Sequence, residues 1–100
     1  MSKNEMVAPP MSQAGIGVFC DVQLIQPNHH GPEGSSAKGY YVWVGVRGLN
    51  EELALESAKS FLDSADVLSV EIDDAVVLDE EDFKEPDKVQ QLGGRVYYAS

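Results

Sequence analysis

Three stretches of this chain alternate apolar and polar residues with period two, and one repeats near 3.6. Gly15 to Gln26 (GIGVFCDVQLIQ) puts Val18, Cys20, Val22 and Leu24 on one face and Phe19, Asp21, Gln23 and Ile25 on the other. That is the pattern of a half-buried strand. Tyr40 to Val46 stacks Val42, Val44 and Val46 with Tyr40 on one side and turns Tyr41, Trp43 and Gly45 to the other. Val67 to Asp73 (VLSVEID) sends Leu68, Val70 and Ile72 inward and Ser69, Glu71 and Asp73 outward. A shorter run, Arg95 to Tyr98 (RVYY), is expected as the last strand.

The helical pattern runs from Asn50 to about Ala65. Asn50 is a capping residue for the free amides of the first turn. Glu51 and Glu52 lie where the helix dipole favours anions. Ala54, Leu55, Ala58, Phe61, Leu62 and Ala65 form one apolar face, with Glu52, Glu56, Lys59 and Asp63 opposite. Gly39 to Asp73 thus reads as strand, helix, strand, the structural centre of the chain, with a crossover connection of right-handed length.

Around this centre the punctuation is plain. Residues 1–14 are polar, contain Pro9-Pro10 and lack a period, so they are expected as a flexible arm before a single domain over 15–100. Pro27 to Lys38 reads as a long loop. Ala75 to Leu78 reads as a strand extension or a core-plugging turn. Asp79 to Asp87 reads as a solvated acidic segment anchored by Phe83, and Asp87 to Leu92 as one or two helical turns closed by Gly93-Gly94. The expected fold is α+β, in the order β-β-α-β-(short α)-β. It has a four-stranded, mostly antiparallel sheet with one main helix on one face, like a reduced ferredoxin-like plait.

Charge changes this picture most. The net charge is −10 over 100 residues. Residues 1–50 carry three basic and three acidic groups; residues 51–100 carry four and fourteen, so the second half holds the whole excess. Glu71 to Asp87 alone has nine acids against Lys84. Such a field repels phosphate and anionic membrane and attracts basic surfaces, so a basic protein partner is expected and direct nucleic-acid or membrane binding is not. Cys20 is the one cysteine, which excludes an intramolecular disulfide. Residues 1–10 have no apolar signal core and no segment has the length of a membrane span, so a cytoplasmic location is the expectation.

The candidate chemistry is thin. His29-His30 with Glu33 could offer metal ligands, but adjacent imidazoles chelate one ion poorly. A Cys20–His nucleophile pair needs an orienting group and an oxyanion site, and no spacing supplies them; the inward register of Cys20 reads as a small core thiol. The paired acids Asp73-Asp74 and Asp79-Glu80-Glu81-Asp82 lack the central glycine of an EF-hand loop. Gly15-Ile16-Gly17 and Gly93-Gly94 precede strands, not helices, so neither makes a phosphate cradle. No cofactor, metal or catalysis is expected.

The remaining feature is the sheet face away from the helix. Tyr41 and Trp43, with Phe19, Ile25 and Tyr97, are expected there, and no second helical layer is evident to cover them. The arm, the long loop or the segment from Asp79 to Leu92 could fold over it. Uncovered aromatic surface marks a partner or a dimer mate. Base stacking on such rings is opposed by the acidic field. The first reading is therefore a non-catalytic acidic interaction protein. One version is an immunity-type or nucleic-acid-mimic inhibitor on a basic enzyme surface. Its contact residues would be Tyr41, Trp43, Asp73, Asp74, Asp79, Glu80, Glu81, Asp82 and Phe83. The second reading is a homodimeric ligand-binding or regulatory domain that uses the aromatic face.

Overall fold

The computed structural model describes residues 13–28 and 37–99. The elements are β1 (Gln13–Asn28), β2 (Ala37–Arg47), α1 (Glu51–Leu62), β3 (Val67–Asp79), a 3-10 turn (Glu80–Asp82), β4 (Val89–Gln91) and β5 (Val96–Tyr98). The fold is α+β: a five-stranded antiparallel sheet with one helix, where four strands were expected. The sheet order is β3-β1-β2-β4, with β5 also on β2. Strands β2 and β3 both run antiparallel to β1, so α1 crosses between two strands that flank β1.

The valine stripe explains why α1 packs where it does. Ile16, Val18, Cys20 and Val22 of β1 and Tyr40, Val42, Val44 and Val46 of β2 are buried against Ala54, Ala58 and Leu62. Small residues at 54 and 58 let the helix approach the sheet, and β-branched residues fill the pleat beneath it. Asn50 caps as expected, its Oδ1 accepting from the Leu53 amide at 3.0 Å. The helix stops at Leu62, three residues early, with Asp63 as its C-cap. Phe61, expected on the core face, is exposed on the helix flank.

Strand β3 continues to Asp79, so Ala75 to Leu78 is a strand extension. It carries irregularities opposite Gln23/Leu24 and Phe19/Cys20. The first adds Leu68 as an extra residue and turns it out of the inward register assigned to it; Leu68 is 64 % exposed. Val70 and Ile72 still pack on the core. The second adds Asp73. Both follow from the bulge rule that one inserted residue shifts the alternation.

The expected helical turns over Asp87 to Leu92 are instead β4. The free edge of β2 accepts a strand there, pairing Val44, Gly45 and Val46 with Gln91, Gln90 and Val89. Further along the same edge β5 pairs with Gly39 to Tyr41. Between the two, four residues of the edge (Leu92 to Arg95) face two of β2, with Gly93 at φ +92°, a conformation that suits glycine. The same edge sets the register of the last strand. Tyr97 lies opposite Tyr40 on the helix side, not on the outer face as expected, and Tyr98 is the outer aromatic.

Strand β1 begins at Gln13, inside the range assigned to the arm, and β1 and β2 reach Asn28 and Ala37, inside the range assigned to the loop. The rest of the arm, and His29, His30 and Glu33, lie outside the described residues. Among the described residues no helix is long and apolar enough to cross a membrane.

Candidate functional site: the outer sheet face

The face of the sheet away from α1 has two halves. The first is aromatic. Phe19 stacks on Tyr41 with ring centroids 5.7 Å apart and lies 4.9 Å from Trp43; Tyr41 lies 5.0 Å from Tyr98. All four rings are half-buried. Strand pairing fixes what borders them. Phe19 sits between Trp43 and Asp74, and Asp21 between Tyr41 and Glu71. Carboxylates therefore line the β3 side of an aromatic patch. Ile25 is exposed beyond it.

Within this half the Tyr98 hydroxyl donates to Asp21 Oδ1 at 2.6 Å. Burial, then this hydrogen bond, pushes the Tyr98 phenol above its ordinary value. A phenol raised on folding stabilises fully below the unfolded value near 10, and that contribution falls as pH rises through the folded value. Stability of the protein should therefore decline above about pH 10. Tyr98→Phe should flatten that alkaline limb and cost about 1–2 kcal/mol at neutral pH, read by urea unfolding at several pH values.

The second half is floored by glycine. At Gly45 a Cβ would stand 2.9 Å from Phe83 Cε1, and at Gly15 it would stand 2.7 Å from Phe83 Cζ. Only glycine leaves room for that ring to lie flat on the strands. Phe83 is 8 % exposed, so it is taken up by the fold and is not offered to a partner in this conformation. Arg47 closes over it, its guanidinium carbon 4.4 Å from the ring centroid. The same guanidinium donates from Nη1 to Glu80 Oε1 and Oε2 at 2.8 and 3.0 Å, from Nη2 to the Glu85 carbonyl at 2.7 Å and from Nε to the Asp87 carbonyl at 3.2 Å.

Gln90 holds the loop from inside. It is 6 % exposed. Its Oε1 accepts from the Lys84 and Glu85 amides at 2.8 and 3.1 Å, and its Nε2 donates to the Glu85 and Asp87 carbonyls at 2.8 and 3.0 Å. The 3-10 turn has a capping box between Asp79 and Asp82, with the Asp79 amide donating to Asp82 Oδ2 at 2.9 Å. The acidic segment is thus a folded loop whose Glu80, Glu81, Asp82, Glu85 and Asp87 side chains remain exposed. Arg47 and Gln90, which give it shape, were missed in the sequence. A basic residue followed by glycine after a strand, and a glutamine amid polar neighbours, carry no signal of partners some 33 to 40 residues or only a few residues away.

The residues expected to meet a partner therefore fall into three groups. Tyr41, Trp43 and Asp74 come together on the aromatic half. Asp79, Glu80, Glu81 and Asp82 lead into the pinned loop, with Phe83 beneath it. Asp73 stands apart as the extra residue of the β3 bulge.

Cys20 lies on the opposite, core face and is fully buried. Burial pushes its thiol up to about 11, with Asp73 adding to the shift and Lys59 opposing it. At pH 8 about one molecule in a thousand would carry the thiolate. The folded protein should resist alkylation by iodoacetamide for hours at pH 8 and react promptly in denaturant, followed by intact mass. Among the described residues no group of three or more His, Cys, Asp or Glu side chains is placed to hold a metal ion.

Comparison with known proteins identifies no relative: no family model, no curated protein and no solved structure matches the chain.

Proposed function

We propose that this chain is a non-catalytic interaction protein that docks its acidic outer face on a basic protein surface. The observation that carries the reading is the preformed acidic loop. Arg47, Gln90 and Phe83 tie down the backbone of the loop, so the positions that carry its acids are set before any partner arrives. A rigid loop loses less conformational freedom on binding than a floppy one. The aromatic patch of Phe19, Tyr41, Trp43 and Tyr98 shares the sheet face with this loop and supplies apolar anchors beside the acids. An inhibitor that covers the basic cleft of a nucleic-acid-processing enzyme is the concrete form we favour. We also read the split β2–α1–β3 unit as a reduced ferredoxin-like plait.

Charge docking makes a direct demand on salt. Partners retained by the protein from native lysate should be lost by the triple variant Glu81→Gln, Asp82→Asn, Glu85→Gln. Their affinity should fall at least roughly tenfold between about 0.1 and 1 M salt, over which the Debye length shrinks from about 10 to 3 Å. Equal retention by the variant, or affinity indifferent to salt, would refute the reading. The same aromatic face could instead pair two copies. Sedimentation at increasing concentration distinguishes this, since a homodimer would persist in the triple variant.

A further inference from the structure

A cleft of about 280 Å³ opens on the helix side of the sheet, between the C-terminal end of α1 and the broken edge of β4 and β5. It is unrelated to the outer face. Its walls include Tyr40, Arg95, Asp63, Asp66, Leu24 and Phe61. The Gly93–Gly94 bulge brings Arg95 over Tyr40, with the guanidinium carbon 4.4 Å from the ring centroid. A stacked guanidinium keeps its N–H edge available for hydrogen bonding. Arg95 uses only Nε, in a long 3.4 Å contact to Gln91 Oε1.

Two facts about these groups stand out in a protein of net charge −10. Arg95 makes no ion pair within 4.0 Å among the described residues, although Asp63 and Asp66 line the same cleft. Tyr40 is 2 % exposed, so it seats the guanidinium on its ring and does not itself offer a donor to the cleft. Arg95, Asp63 and Asp66 thus line one cleft together with the apolar Leu24 and Phe61.

We infer that this cleft binds a small zwitterion of the free α-amino acid class, its carboxylate on Arg95 and its ammonium toward Asp63 and Asp66. A simple anion would meet the acidic field of the whole protein and the two aspartates. A simple cation would leave Arg95 unmatched. The volume lies just under the range of ligand pockets, which suits a molecule of few atoms. This inference is independent of the partner proposed for the outer face.

The test is titration of the full chain with glycine, L-alanine and L-leucine, followed by amide chemical shifts and calorimetry. At least one should saturate with Kd of about 1 mM or tighter. The shifts should centre on residues 63–67 and 95–97. Isocaproate and isoamylamine, which each keep one charged end of leucine, should bind at least tenfold more weakly than leucine where leucine binds. Arg95→Gln and Asp66→Asn, both at exposed positions and so expected to fold, should each weaken binding at least tenfold. No saturable shift with any of the three amino acids up to about 10 mM would overturn the inference. So would a single-ended analogue binding as well as the amino acid, or unchanged binding in Arg95→Gln.

Discussion

Phe83→Ala should lose about 3 kcal/mol of stability, the low end for deleting a buried phenylalanine. In urea this moves the unfolding midpoint down by roughly 2 M. The ring sits on the glycine floor at Gly15 and Gly45 and beneath Arg47. Its removal leaves a gap that glycine backbone cannot fill by rotamer change, because there is no side chain there to move. The low end is chosen because the ring lies on the outer layer, where neighbouring Leu92 can partly collapse onto the site. The loop should loosen as well as the fold. Hydrogen exchange of the Phe83, Lys84 and Glu85 amides should accelerate more than that of β1, and partner affinity should fall by more than the stability loss alone explains. If the midpoint moved by less than about 0.5 M, the glycine floor would not be holding the ring as described.

Gln90→Leu is the second large effect. Leucine is close in size, so no cavity is created and only hydrogen bonding changes. The Lys84 and Glu85 amides lose their acceptor, while the Glu85 and Asp87 carbonyls lose one donor and keep Arg47 as the other. Each buried orphan costs about 1–3 kcal/mol, but this loop lies near water and can re-solvate some of them. We expect a net loss of about 2–3 kcal/mol in urea unfolding. Gln90→Glu gives the contrast: it keeps an acceptor for the two amides but sets a carboxylate against two carbonyls, so it should be destabilised as well. By comparison, Glu80→Gln should cost under about 1 kcal/mol, because the Glu80 side of its pair with Arg47 is largely open to solvent. The loop is thus held by one buried amide and one ring more than by its ion pair.

The contrast between β5 and the valine strand shows where pattern alone stops. In RVYY a slip of one residue exchanges Tyr97 and Tyr98 between faces, and four residues do not hold enough alternation to choose. Pairing with Gly39 to Tyr41 chooses, and puts Tyr97 against Tyr40. Strand β2 needed no such help, since Tyr40, Val42, Val44 and Val46 alternate with Tyr41, Trp43 and Gly45 over seven residues. The same limit governs Leu68. Its spacing from Val70 is two, but a bulge opposite Gln23 and Leu24 resets the count, and a bulge is a property of two strands together.

Local chemistry determined a good deal by itself. The period of the valines, the alanine spacing at 54 and 58 and the Asn50 cap specify β1, β2, α1 and their shared core, because period and capping act within a few residues. The acidity of the second half is also a property of composition. Tertiary structure decided the rest. It made β4 a strand, because the edge of β2 had backbone groups to satisfy. It turned the acidic run into a shaped loop, because Arg47 reaches it across the sheet and Phe83 packs on Gly15 and Gly45. It split the outer face into an aromatic half and a covered half, because glycines on two different strands meet only when β1 and β2 pair. Each of these depends on contacts between residues far apart in the chain, and no local pattern encodes their meeting.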